Sequence, residues 1–262
     1  MNNEQKVYEL DEIWKDDWFS EEDSMRIRKL SEIVLSKNIN SIVDIGCGNG
    51  LFLNFLHDNH VNNFTRLCGV ERSESAIKHV KTEKYIAGID NIPLSAREFD
   101  FVSCQEVIEH LPNAIYEDSI RELGRISNKY IMISVPFNEN LLKSLVHCPS
   151  CKTKFNPEYH MRSFTSKELY LLEDLLGAKM IDTGYISVKS FMFIELIAKM
   201  VNGKSVFPKY TICPMCSYNN NDQLNKSGTK VGENPIKAKI KSMWPKTDRK
   251  RWIYGIFEKQ IG

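Results

Sequence analysis

The stretch Asp44-Ile45-Gly46-Cys47-Gly48-Asn49-Gly50 sets three glycines within five positions, directly after the β-rich run Ser41-Ile42-Val43. Glycine takes positive φ without a Cβ penalty, so the stretch specifies a tight turn at the end of a buried strand. Leu51 to Asn59 follows with helical apolar spacing, making a strand, glycine turn, helix unit. There a ligand can lie against bare backbone beside the helix N-terminus. A dinucleotide fingerprint requires G-x-G-x-x-G. Here the third glycine comes one position early, which disfavours NAD.

Apolar runs and helical patterns alternate from about residue 23 to 198. Asp23 to Ser36 reads as an amphipathic helix with Met25, Ile27, Leu30, Ile33 and Val34 on its apolar side. "RLCGVE" is a second strand, and Ser73 can cap a helix running through Lys81. "YIAG" and "FDFVSC" supply two more strands. Ala114 to Ser127 is a helix, and "KYIMISVPF" is a strand closed by Pro136. This alternation predicts a parallel sheet covered on both faces. Thr165 then starts the helix "TSKELYLLEDLLG". "AKMIDTGYI" and "SFMFIELIAKM" read as a closing antiparallel pair, and residues 217–235 as a flexible linker.

Glu71 ends the second strand in "GVERS", where a carboxylate can hold both hydroxyls of a ribose. Together with the D-x-G-x-G-x-G loop, this resembles the class I S-adenosylmethionine-dependent methyltransferases, especially the group that includes ubiquinone-type and glycan-modifying enzymes. The resemblance covers roughly residues 38–200. It implies an α/β, Rossmann-like fold with a seven-stranded, mostly parallel sheet and helices on both faces. It also implies that Asp44 and Gly46, Cys47, Gly48, Asn49 and Gly50 hold the methionine part of the cofactor. Glu71, with Arg72 beside it, would meet the ribose. Family members carry an acid near the adenine, and here Gly88 stands at that position, leaving Ile89 and Asp90 as the candidates. Cys104 and Gln105 should border the cofactor.

A bound sulfonium is already an activated methyl donor, so an amine or thiolate acceptor needs little beyond alignment. A hydroxyl also needs a base or a metal. "CQEVIEHLP" supplies Glu106, Glu109 and His110 at the carboxyl edge of the sheet. In helical geometry the two carboxylates share a face with His110 beside them. Small-RNA 3′-terminal 2′-O-methyltransferases look similar here, with an E-x-x-E-H metal set that His160 in "YHMRSF" would complete around Mg²⁺ or Mn²⁺. Three readings stand for the segment: a metal site, a proton-transfer or substrate role for His110, and a purely structural turn.

Cys148-Pro-Ser-Cys151 and Cys213-Pro-Met-Cys216 have the internal spacing of two zinc knuckles, which close a structural site when brought together. Redox pairs and unmetallated surface cysteines are the alternatives. Cys47, Cys68 and Cys104 read as small core or loop residues. Lys152 and Ser217 replace the glycine often found after such knuckles. The surroundings of "HCPSC" look similar to some glycan-modifying methyltransferases, which directs the acceptor towards a sugar.

The net charge of +1 is unevenly spread: residues 226–262 hold ten Lys or Arg against three Asp or Glu, leaving about −6 on the rest. Such a tail, with Trp244, Trp252, Ile253 and Phe257, suits a phosphorylated carrier or an anionic membrane surface, with RNA ranked lower. A docked C-terminal helix is the plainer reading. No run approaches ~18 apolar residues and the N-terminus is acidic and polar, so the expected location is the cytoplasm, or the inner face of its membrane.

The domains expected are an N-terminal helical cap over 1–37, the cofactor domain over 38–200 with an insertion at 137–165, and a C-terminal part, 201–262. The last holds the second cysteine pair and the basic tail. Acceptor-facing residues should lie in the N-terminal segment and in 137–165. The leading reading is O-methylation of a sugar, glycan or phosphorylated small molecule. Metal-assisted RNA 2′-O-methylation and a non-catalytic zinc-stabilised binding module are the alternatives.

Overall fold

The computed structural model describes residues 3–14, 20–190, 207, 210–219 and 247–260. Five parallel strands form the frame: β1 (Ser41–Ile45), β2 (Arg66–Glu71), β3 (Glu83–Ile86), β4 (Phe99–Gln105) and β5 (Ser127–Pro136). Two antiparallel strands, β8 (Ala178–Ser190) and β9 (Thr247–Lys259), complete a sheet of order β3-β2-β1-β4-β5-β9-β8. A two-stranded hairpin, β6 (Val146–His147) with β7 (Lys154–Phe155), stands apart from it. The middle strands read as near-continuous apolar runs because helices bury both of their faces.

On one face, α2 (Glu21–Leu35) and α3 (Leu51–His60) bury Leu30, Val34, Phe52, Leu53 and Leu56 against Ile42, Phe101 and Trp252. On the other, α5 (Asn113–Ile126), α6 (Ser166–Tyr170) and α7 (Glu173–Leu176) bury Ile120, Leu123, Leu169 and Leu176 against Val43, Val102 and Ile133. Each large side chain removed from water here contributes roughly 1.5–3 kcal/mol. The remaining helices are α1 (Asn3–Tyr8) and the single turn α4 (Glu74–Ile77). Among the described residues no helix is long and apolar enough to cross a membrane.

Several local expectations shift. Helix α2 starts earlier than Asp23, because Ser20 is its N-cap and Asp23 the third residue of a capping box. Its apolar stripe is rotated: Met25 is exposed and Arg26 buried. The helix begun at Ser73 ends at Ile77 instead of Lys81. There Asn54 takes over, donating to His79 O and accepting from Lys81 N. The helix after Thr165 breaks into α6 and α7.

The largest correction concerns the C-terminus. "AKMIDTGYI" is a strand, but its partner is the end of the chain, since β8 pairs antiparallel with β9 and β9 with β5. Trp252, Ile253 and Phe257 are therefore core residues, 3% exposed or less, and not part of an amphipathic tail surface. A cut at residue 200 would separate β9 from the sheet it completes. The strand expected in "SFMFIELIAKM", Trp244 and most of the 217–235 linker lie outside the described residues.

Candidate active site

The glycine loop leaves β1 with Gly46, Gly48 and Gly50 at φ of 72, 54 and 79°. Glycine is required there on two counts. The φ values are left-handed, and a Cβ on Gly46 or Gly48 would stand 2.4 Å from Val107 or 2.9 Å from Trp14. The loop is tied down by Glu71, whose Oε2 accepts from Gly48 N at 3.0 Å. Its Oε1 accepts from Arg72 N and Ser73 N at 2.8 and 2.9 Å. A carboxylate oxygen accepts about two hydrogen bonds, so Oε2 keeps room for one hydroxyl.

Asp44 sits beneath the loop, 4% exposed, with Oδ1 lacking a hydrogen-bond partner among the described residues. Burial raises its pKa to about 7, against the pull of Ser103 and Arg26. An orphaned carboxylate oxygen beside a cradle with no room for Cβ atoms fits a cationic ligand held against backbone. Asn49 donates to Trp14 O at 3.2 Å, which closes the N-terminal segment over the loop.

Arg72, Ile89, Asp90 and Gln105 line the same cleft, as do Asp23 and Arg26. The Asp90 carboxylate lies 2.6 Å from where a Cβ on Gly88 would be, so it fills the space left by that glycine. Arg26 Nη1 donates to Gln105 Oε1 at 3.1 Å, a contact that explains the buried arginine on α2. Cys104 is a correction: it packs in the core with Val102 and Ile108, because alternation along β4 turns Gln105 to the cleft instead.

Beyond β4 the chain turns sharply. Glu106 has φ of 56° and only Ile108–His110 is helical, a single 3₁₀ turn, so Glu106 and Glu109 do not share a helix face. Glu106 Oε2 instead accepts from Trp252 Nε1 at 2.8 Å, while its Oε1 is buried without a partner. Burial pushes Glu106 up, opposed by Arg26 and Trp252. Glu109 is 1% exposed and neither carboxylate oxygen has a hydrogen-bond partner among the described residues. Burial, with Glu106 adding to it, raises Glu109 well above the usual range.

Glu109, His110 and His160 converge, one ligand atom of each lying within 4.8 Å of the others. Donors on one small divalent ion stand about 3–4 Å apart, so a slight inward movement would close the set. Burial, then His160 and Arg72, hold His110 down to about 3, which keeps its imidazole neutral. Tyr8 Oη lies 3.4 Å from His110 Nδ1. His160 Nδ1 bonds to Glu139 Oε2, leaving Nε2 for the cluster. Burial works against charge on His160, but Glu139, Glu158 and Glu106 together raise its pKa. Met161 N donates to Glu109 O at 2.8 Å, and Arg162 Nη1 donates to Ile108 O at 3.1 Å, so the two segments are stitched together.

The four paired cysteines also meet. Cys148 and Cys216 sulfurs are 3.6 Å apart, as are Cys151 and Cys213, and all four lie within 4.8 Å of one another. Thiolates on one tetrahedral zinc at 2.3 Å stand about 3.8 Å apart. The two C-x-x-C turns repeat one geometry: Lys152 N donates to Cys148 O and Ser217 N to Cys213 O, each at 3.0 Å. Lys152 and Ser217 take φ of 65 and 61°, doing what glycine does at that place in zinc knuckles. A hydrogen bond with the Thr153 hydroxyl holds the Cys151 thiol down to about 6, towards the thiolate a metal needs. His147 is exposed and outside the cluster.

The cleft measures about 1090 Å³. Pockets for a single drug-sized ligand run roughly 300–1,000 Å³, so there is room for a cofactor and an acceptor. Tyr8, Trp14, Phe137, Glu139, Lys143, Tyr159 and the stretch Arg249 to Trp252 line it. Glu139 and Trp252 carried no motif that would have marked them. Trp252 reaches the site only because β9 returns beside β5.

The family profile "Methyltransferase domain" matches residues 21–182. No curated protein matches the chain in sequence. Among solved structures, an S-adenosylmethionine-dependent methyltransferase from Archaeoglobus fulgidus aligns at 16% identity and TM-score 0.56, over 92% of this chain and 95% of that one. The PH0226 protein from Pyrococcus horikoshii OT3 aligns at 14% and 0.55, over 97% and 99%. The methyltransferase domain of bacterial CtHen1 aligns at 15% and 0.52, over 90% and 99%. At such identities the likeness is one of fold.

Proposed function

The chain belongs to the methyltransferase-domain family and is an S-adenosylmethionine-dependent enzyme; from that premise we propose that it methylates a hydroxyl oxygen of a sugar- or glycan-type acceptor, assisted by a divalent cation held by Glu109, His110 and His160. The observation that carries the cation is the Glu109 carboxylate, buried beside two histidines with neither oxygen partnered among the described residues. A group in that state costs about 1–3 kcal/mol, which a cation would offset. Four thiolates at Cys148, Cys151, Cys213 and Cys216 would hold a structural zinc with no open position for chemistry.

S-adenosylmethionine supplies an activated methyl group when bound, its methyl carbon going to the acceptor oxygen and the bonding pair staying on sulfur. Asp44, the glycine loop and Glu71 would hold it, with Gln105 and Arg26 fixing the wall next to it. Mg²⁺ or Mn²⁺ at the second cluster would lower the pKa of an acceptor hydroxyl, which a poor oxygen nucleophile requires. Glu106, with Oε1 unpartnered and a raised pKa, is the carboxylate suited to take the hydroxyl proton.

A ribose 2′-hydroxyl on RNA is the second reading. It is favoured by the wall where Lys250 Nζ stands 3.6 Å over Tyr185 and 5.7 Å over Phe137, since basic and aromatic groups together suit single strands.

The test is methyl transfer from S-adenosylmethionine to two panels, nucleotide sugars and oligoribonucleotides, with chelator and with Mn²⁺ restored. Transfer to a sugar hydroxyl that chelation abolishes supports the leading reading. Glu109→Met should then abolish transfer while leaving the melting temperature equal or higher. Chelator-resistant transfer would overturn the cation and leave removal of the hydroxyl proton to Glu106 alone.

A further inference from the structure

Tyr159 joins the two clusters. It has φ of 61°, a backbone region that an aromatic residue rarely enters, and the reversal sends neighbouring side chains opposite ways. Tyr159 itself is buried with Cys148, Phe155, Ile212 and Cys213 in the core of the thiolate unit. Its hydroxyl donates to Ile212 O at 2.8 Å and accepts from Ile212 N at 2.9 Å, thereby gripping the residue that precedes Cys213. The next residue, His160, faces away from that unit, its ring centroid 4.7 Å from that of His110. Backbone strain of this kind persists only where the surroundings over-determine it, and it gathers at functional sites.

The other histidine is reached from the same core. Val7 and Ile13 of the N-terminal segment pack in that cluster, with Tyr8 and Trp14 partly buried against it. Tyr8 in turn meets His110 edge-on, 6.1 Å between ring centroids. Without order among the four thiolates, Ile212 and the N-terminal segment lose the surface they rest on.

We propose that the four-cysteine unit positions His160 through the hydrogen-bonded clamp of Tyr159 on Ile212, so that zinc at the thiolates and the divalent cation at Glu109, His110 and His160 are coupled. The inference rests on the cation reading above and assigns Tyr159 as a positioning residue that acts through His160. A structural site thereby becomes a determinant of affinity at a catalytic one.

The experiment uses the full chain loaded with zinc, and compares wild type with Tyr159→Phe, which keeps the ring and removes the hydroxyl. Mn²⁺ binding is read by electron paramagnetic resonance, with zinc content and S-adenosylmethionine affinity measured on the same samples. The expected result is Mn²⁺ affinity at least about tenfold weaker, the low end for outer partners of a metal ligand, with zinc content and cofactor affinity unchanged. Cys216→Ser, which removes a thiolate, should lose zinc and weaken Mn²⁺ at least as much. Equal Mn²⁺ affinity in wild type and Tyr159→Phe overturns the coupling and leaves the cation reading intact. Wild type that keeps zinc but takes up no Mn²⁺ overturns both.

Discussion

At the scale of single residues, the site is defined by acids that water cannot reach. Asp44 and Glu109 are both buried, and both have oxygens without partners among the described residues. Each is tolerable if a positive group completes it, an ammonium or sulfonium at Asp44 and a metal ion at Glu109. Asp44 gives the clearer prediction. Its folded pKa is raised from 3.8 to about 7 by burial, so the ligand-free protein holds a proton that the unfolded chain has released. Stability of that form therefore falls as pH rises through this window and levels off above it. A cationic ligand favours the carboxylate and expels the proton, so affinity moves the opposite way. S-adenosylmethionine should bind about tenfold more weakly at pH 6 than at pH 8, with proton release at the lower pH. Isothermal titration in buffers of different ionisation enthalpy checks this, and a flat affinity between those values would remove Asp44 from the cofactor site.

At the scale of elements, β9 matters most. Trp252, Ile253, Tyr254, Ile256 and Phe257 are all buried on it, together worth on the order of 10 kcal/mol, comparable to the whole stability of a domain. A chain ended at residue 246 should lose its cooperative melt and its near-ultraviolet circular dichroism. A cooperative melt with cofactor binding intact would contradict the place given to β9. This element also shows what the sequence could and could not convey. The β1 loop, β2 with Glu71, and β4 were legible because glycine spacing and short apolar runs are local signals. The returning strand was not, because Arg249 to Arg251 made it resemble a basic tail, and its apolar alternation has meaning only beside β5 and β8. The E-x-x-E-H segment left three chemical readings open, and its shape was not legible. Periodicity suggested a helix, whereas the left-handed turn at Glu106 sends that carboxylate to Trp252, 146 positions further along the chain.

At the scale of the molecule, three sites stand around one cleft: the glycine loop, the Glu109 cluster and, behind Tyr159, the thiolates. The cysteine pairs are separated by 61 residues, with α6, α7 and β8 between them, yet their sulfurs meet. The second pair thus belongs to an excursion between β8 and β9 and not to a terminal appendage. Tyr210 and Thr211 of that excursion line the cleft. The central claim is that Glu109, His110 and His160 bind a divalent cation at the acceptor end. The most direct measurement is anomalous diffraction from crystals of the zinc-loaded protein soaked in MnCl₂, recorded on either side of the manganese and zinc edges. The expected result is a manganese peak among Glu109, His110 and His160, and a zinc peak among Cys148, Cys151, Cys213 and Cys216. A zinc peak at the thiolates with no manganese density beside Glu109 would contradict it.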